Sequence, residues 1–304
     1  MLDALLIDSV VRSIQTGSLY ALMAVGLTLT FNVVRLPNFA HAEMITIGAY
    51  AALFVSMGVS TSIPVILLAA FLAAALAAAL SHRLVFRPLE RKGSSIYTLM
   101  LASFAVGMIF RYILFLIVDT YSLFDKRIQI PVEIWVRSTP LILTNLFFWA
   151  VPPSIVLVLL LTLLLRGTRL GREMRALAGN FDLARVMGIH VERVKLVTWF
   201  LAGGLAGVAG ALWALQTSVN PTMGWLVILS VFAATFLGGM TSFVGTIAAA
   251  YIVSFSENTL MQLLNYFLGV DFSFKPAIPF ILILVVLIFR PDGIAVIFGS
   301  RRKL

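Results

Sequence analysis

Apolar residues fall into nine runs separated by short polar breaks, at about 13–33, 40–57, 62–82, 95–118, 147–165, 195–216, 225–240, 243–264 and 277–290. A helix needs roughly 20 apolar residues to cross a bilayer, so the runs predict membrane segments. Several are shorter than that, and short runs interrupted by Pro or Gly tilt, re-enter or break. The run 225–240 ends in Leu237-Gly238-Gly239-Met240, and the next begins a few residues later. That pair reads either as two short spans or as one re-entrant hairpin. The pattern predicts an all-α integral membrane protein, a polytopic bundle of about eight or nine segments. It forms one transmembrane domain over 1–304, with no soluble domain.

The polar breaks give a sidedness. Arg83, Arg87, Arg91 and Lys92 follow the third run, and Arg166, Arg169, Arg172, Arg175, Arg185, Arg193 and Lys195 follow the fifth. Arg290, Arg301, Arg302 and Lys303 end the chain. Basic residues collect on the cytoplasmic side. An outside N-terminus with nine crossings puts all three clusters, and the C-terminus, inside. The segment 119–146 then lies outside, where Lys126, Arg127 and Arg137 balance Asp119, Asp125 and Glu133. A faint inverted repeat pairs Gly17–Asn32, followed by Pro37-Asn38, with Gly203–Gln216, followed by Asn220-Pro221. The N-terminus carries Asp3 and Asp8 ahead of Arg12, unlike the basic start of a signal peptide. The first run therefore reads as a retained span.

Composition agrees. The chain is 61% hydrophobic and 12% charged, against about 25% charged in a soluble domain. Its net charge of +9 belongs to segments flanking apolar runs, which argues for a lipid surface and against nucleic acid. Cysteine is absent, which excludes disulfides, thiol catalysis and cysteine metal sites. There is no Gly-x4-Gly-Lys-Ser/Thr and no His-Glu-x2-His; the histidines are His41, His82 and His190. If ATP drives this protein, another chain hydrolyses it.

Three segments carry more than hydropathy. In Asn38-Phe39-Ala40-His41-Ala42-Glu43, Pro37 interrupts the helix, leaving His41 and Glu43 at the start of a short run. Either Asn38 caps a helix whose positive end favours Glu43, or a broken helix lines the substrate path. In 166–195, Asp182 is placed to cap a short helix and Gly188 to end it. Leu183, Val186 and Met187 share one face at helical spacing. That helix either lies on anionic lipid or docks in a partner's groove. Third, Gly203 with Gly207 and Ala206 with Gly210 mark close helix packing. Arg111 and Glu257 are ionisable residues inside or near runs, expected to snorkel or be buried in the bundle. No paired carboxylates or His–carboxylate chain suits a proton relay.

The chain resembles the permeases of branched-chain amino-acid ABC importers, nearly end to end. The resemblance rests on Thr16-Gly17-Ser18-Leu19-Tyr20-Ala21-Leu22, Asn38-Phe39-Ala40-His41 with Glu43, and Arg87-Pro88-Leu89. It continues through Gly171–Ile189, Asn220-Pro221, Leu237-Gly238-Gly239-Met240 with Gly245, and Arg290-Pro291-Asp292-Gly293. It implies a transport subunit of a prokaryotic plasma (inner) membrane, not an enzyme. Its implied partners are a second related permease, two ATP-binding subunits and an extracytoplasmic substrate-binding protein, with lipid around it. This chain would bind no cofactor; ATP and Mg would sit on the partners. The resemblance implies a coupling helix contacting the ATPase through Ala178, Gly179, Asp182, Leu183, Ala184, Val186, Met187, Gly188 and Ile189. It places Asn38, His41 and Glu43 on the substrate path. Where the family has glycine after the histidine this chain has Ala42, whose methyl would narrow the path there. Urea, short amides and aromatic acids stay open as substrates, and a lone secondary transporter or channel is the rival class.

Overall fold

The computed structural model describes residues 2–138, 141–289 and 293–294. In chain order it has α1 (Leu2–Val34), α2 (His41–Gly58) and α3 (Ile63–Ser81), which passes through a π-helical turn into α4 (Arg87–Arg91). Next come α5 (Ile96–Thr120), the strands β1 (Ile134–Ser138) and β2 (Leu141–Thr144), and α6 (Asn145–Gly167). Then follow α7 (Arg169–Gly179), α8 (Phe181–Val186), α9 (Val191–Ala214) and α10 (Met223–Gly238). Last are α11 (Phe243–Phe255), continued by a π turn into α12 (Met261–Leu268), and α13 (Ala277–Phe289). Every predicted run has its helix. Helix α1 begins well before residue 13, where Asp8 and Arg12 pair at i,i+4 (2.8 Å). Arg290-Pro291-Asp292, Arg301, Arg302 and Lys303 lie outside the described residues.

By length and composition, Leu5–Val34, Ile63–Arg91, Ile96–Thr120, Asn145–Gly167 and Val191–Ala214 can cross a membrane. Helix α10, with 16 residues, is about 24 Å long at 1.5 Å per residue, short of a hydrocarbon core of about 30 Å. On α5, Leu101 and Leu116 are 69% and 70% exposed, a surface that suits lipid and not water.

The chain divides into two compact units. One comprises residues 1–28, 130–155 and 229–304. Hydrogen bonds lace α1 to the 243–260 segment. Ser13 meets Thr259 (2.8 Å), Ser18 meets Tyr251 (2.9 Å) and Thr28 meets Thr246 (2.9 Å). Tyr20 and Ser230 donate to the two oxygens of Glu257 at 2.8 and 2.5 Å. Glu257 is therefore buried in the bundle, as expected of a lone carboxylate there. Such bonds average about 0.6 kcal/mol in membranes, so the set acts together and no single member dominates. Between α10 and α11 the backbone turns sharply, with Gly239 at φ 88° and Met240 at φ 29°. This unit also holds an element that hydropathy gave no sign of, the antiparallel β1–β2 hairpin. Asn145 closes its base, donating to Pro131 O (2.7 Å) and accepting from Glu133 N (3.3 Å).

The other unit comprises residues 29–129 and 156–228. Its core is α2, α3 and α9. A Cβ on Gly210 would strike the backbone of Ile45, and one on Gly207 the carbonyl of Ala70. The small residues singled out in the sequence are thus where backbones touch. Between helices in lipid, dispersion and backbone contacts replace the hydrophobic drive.

Candidate functional site

Helix α1 ends at Val34 and Arg35 takes a left-handed φ of 59°; the chain then passes Pro37 into a short turn. Asn38 does not cap α2. Its Oδ1 accepts from Ala40 N (3.1 Å), its carbonyl accepts from His41 N (3.3 Å), and α2 has no side-chain cap. The side chain is spent on an Asx turn, two residues ahead of the N-cap position at Ala40. Asn220 makes the same turn ahead of α10, accepting from Thr222 N at Oδ1 (3.2 Å) and from Met223 N at its carbonyl (3.2 Å). The two landmarks of the faint repeat therefore launch short helices in the same way. The first turn of α10 meets the first two turns of α2: Gly224 N donates to Thr46 Oγ1 (3.1 Å), and a Cβ on Gly224 would strike Ala42 O. Close approach to the α2 backbone is supplied here by the glycine of α10.

Glu43, in the first turn of α2, is fully buried. Arg111 of α5 reaches it with both Nε (3.0 Å) and Nη2, and both donate to the same oxygen, Oε1. Oε2 is buried with no hydrogen-bond partner. The Arg111 guanidinium lies 4.5 Å from the centre of the Trp225 ring, a cation–π contact. Phe104 sets its edge against Trp225 (5.7 Å) and Phe39 (6.4 Å). Together with Met108 these side chains line a pocket so tightly filled in this structure that it has no room for a water molecule. Of the three path residues read from the sequence, Glu43 lines this pocket; Asn38 shapes the turn, and the buried His41 does not line it. Arg111 was visible as a lone intramembrane charge without its partner. Phe39 stood inside a segment that the sequence marked, but nothing there marked Phe104 or Trp225, because the convergence of the three rings is tertiary.

A second candidate lies in 166–195, where two helices stand instead of the expected one. Thr168 Oγ1 accepts from Gly171 N (3.1 Å) and caps α7, which buries Gly171, Met174, Leu177 and Ala178 at helical spacing. Arg35 donates to the Ala178 carbonyl (2.5 Å), a cation at the helix's negative end. The cap of α8 is Asn180, whose Oδ1 accepts from Leu183 N (3.0 Å). Asp182 is not that cap; it sits in the first turn, where its charge suits the dipole. Gly188 ends the segment at φ 79°, as expected of a C-terminal glycine.

Helix α8 is pinned from below and bare above. The Lys195 ammonium lies 5.2 Å from the Phe181 ring centre and donates to Glu90 (2.7 Å), while Arg87 pairs with Glu192 (2.5 Å). Ala178 and Ala184 are buried, but Gly179, Asp182 and Gly188 are exposed. Leu183, Val186 and Met187 are 59%, 83% and 74% exposed. Ile189 is intermediate and lines a cleft with Arg91, Arg185 and Arg193. Among the described residues, no group of three His, Cys, Asp or Glu is placed to hold a metal.

Residues 9–289 match the family described as branched-chain amino acid transport system / permease component. The chain is 32% identical to the probable branched-chain amino acid transport permease protein LivH of Methanocaldococcus jannaschii, over 94% of this chain and 91% of that one. It is 27% identical to the high-affinity branched-chain amino acid transport system permease protein BraD of Pseudomonas aeruginosa, over 95% of each. A stretch of 104 residues is 38% identical to the ribose import permease protein RbsC of Escherichia coli, 32% of each chain.

Proposed function

Because the chain belongs to the family of permease components of branched-chain amino acid transport systems, we propose that it carries branched-chain or other apolar amino acids inward, driven by ATP hydrolysis on partner subunits. It is a multi-pass membrane protein and a transport subunit. The observation that carries the coupling is α8, which displays apolar side chains outward beside the basic residues of the 169–195 segment. An apolar face left bare at a helix of six residues suits a groove on a cytosolic partner. The contacts behind it favour transmission of movement. Phe181 rests on Lys195, Lys195 holds Glu90, and α9 packs against α2, which bears Glu43.

The full assembly consists of this chain, a second related permease, two ATP-binding subunits that carry ATP and Mg, and an extracytoplasmic binding protein that delivers substrate. The N-terminus is outside and the C-terminus cytoplasmic, which puts the Arg83–Lys92 and Arg166–Lys195 clusters on the ATP side. Rigid-body movement of packed helices switches access. The binding protein selects, so the permease needs only a transient site.

Reconstitution into liposomes tests this. With all partners and ATP, leucine, isoleucine and valine accumulate; leaving out the ATP-binding subunits or the binding protein stops uptake. Sustained uptake by the chain alone would contradict the reading and favour a secondary carrier or channel.

A further inference from the structure

The ion pair of Glu43 and Arg111 has an arrangement that a purely structural pair does not need. A guanidinium fork matches a carboxylate by giving one N–H to each oxygen. Here both Nε and Nη2 of Arg111 go to Oε1, and Oε2 stays buried without a donor. A buried, negatively charged oxygen with no partner calls for a cation with N–H donors. Arg111 in turn has five N–H donors and spends two of them on Glu43. The remainder suits a carboxylate. Glu43 and Trp225 sit in the first turns of α2 and α10, whose positive ends favour that negative group. The rest of the wall is apolar: Phe39, Phe104, Met108 and the Trp225 ring.

We propose that the Glu43–Arg111 pair is the point at which the permease itself holds its substrate, by exchange of ion pairs. The substrate ammonium takes the free oxygen of Glu43, its carboxylate takes the guanidinium of Arg111, and its apolar side chain lies against Phe39, Phe104 and Trp225. No bond is made or broken covalently, and charge balances before and after: two internal charges meet the two of a zwitterion. The inference rests on the reading of this chain as an amino-acid permease and adds the residues and the ligand chemistry to it. In this structure the side chains close over the pair, so the internal ion pair competes with the substrate for each charge. That competition keeps binding weak, which release requires. The site accepts both charges of a free amino acid and offers no partner for a third, so it favours apolar side chains over charged ones.

Because the chain has no cysteine, Met108→Cys gives this subunit one thiol, on the pocket wall. It is labelled with a small maleimide in the assembled importer, in membrane vesicles with ATP. Three probes are added in turn: leucine, isoamylamine, which lacks the carboxylate, and 4-methylpentanoate, which lacks the ammonium. Leucine is expected to slow labelling several-fold and the other two to leave it unchanged. Adding Glu43→Gln and Arg111→Gln together should remove protection by leucine while the thiol still labels. Equal protection by all three probes would reduce the site to an apolar wall. Protection by none would take it off the path, and protection that survives the double substitution would make the ion pair structural. Leucine uptake by the unsubstituted importer is measured alongside; its absence sinks the transport reading, whereas its presence with any of those three outcomes sinks the exchange site alone.

Discussion

Importer carrying Leu183→Asp, Val186→Asp and Met187→Asp in this chain is expected to lose ATP-driven uptake while the chain itself folds normally. The three side chains are 59%, 83% and 74% exposed, so the folded subunit gives up little packing, and surface changes of this kind usually stay within about 0.5 kcal/mol. Docked in a partner groove, each apolar side chain is worth about 1.5–3 kcal/mol. Together they would weaken docking by roughly a thousandfold or more, before the cost of burying three carboxylates is counted. Uptake in liposomes and co-purification of the ATP-binding subunits both read the effect. Normal uptake in the triple variant would remove α8 from the coupling path.

The second large effect is on stability. Glu43→Gln leaves Arg111 charged and unpaired at 13% side-chain exposure, and Arg111→Gln leaves Glu43 unpaired at 1%. Removing one partner of a buried ion pair costs about 3–5 kcal/mol. The double Gln variant removes both charges, so most of that cost should return. Thermal unfolding of the four proteins in one lipid or detergent gives the coupling directly. Two single losses that simply add in the double variant would mean that the pair does not interact.

Much of the fold was legible because hydropathy speaks for itself in a membrane protein. All nine runs became helices, since within a single run only a helix satisfies the backbone hydrogen bonds in lipid. The glycines at 203, 207 and 210 were legible for a related reason: only small residues allow backbones to touch. The β1–β2 hairpin was not, because residues 134–144 sit in a segment whose charges read as an external loop. Two caps were missed by the same kind of error. Asn38 and Asp182 are residue types that cap helices, but each stands out of register with the helix start. The caps actually used at α7 and α8 are Thr168 and Asn180. At the pocket, Glu43 was legible as a charge beside an interrupted helix. Its partner Arg111 lies 68 positions away, and Trp225 is further still, so no local pattern connects them.

One measurement bears most directly on the claim that this bundle is moved by a separate ATP-driven subunit. Val186→Cys supplies the chain's single thiol at a position 83% exposed, and a short thiol–amine cross-linker is applied to native membranes with and without ATP. The account predicts a cross-link to the ATP-binding subunit whose yield changes with nucleotide, and none from a control cysteine at Leu116 on the exposed apolar surface of α5. A thiol at 186 that reacts as freely with the ATP-binding subunits present as without them, joined to no protein, would contradict it.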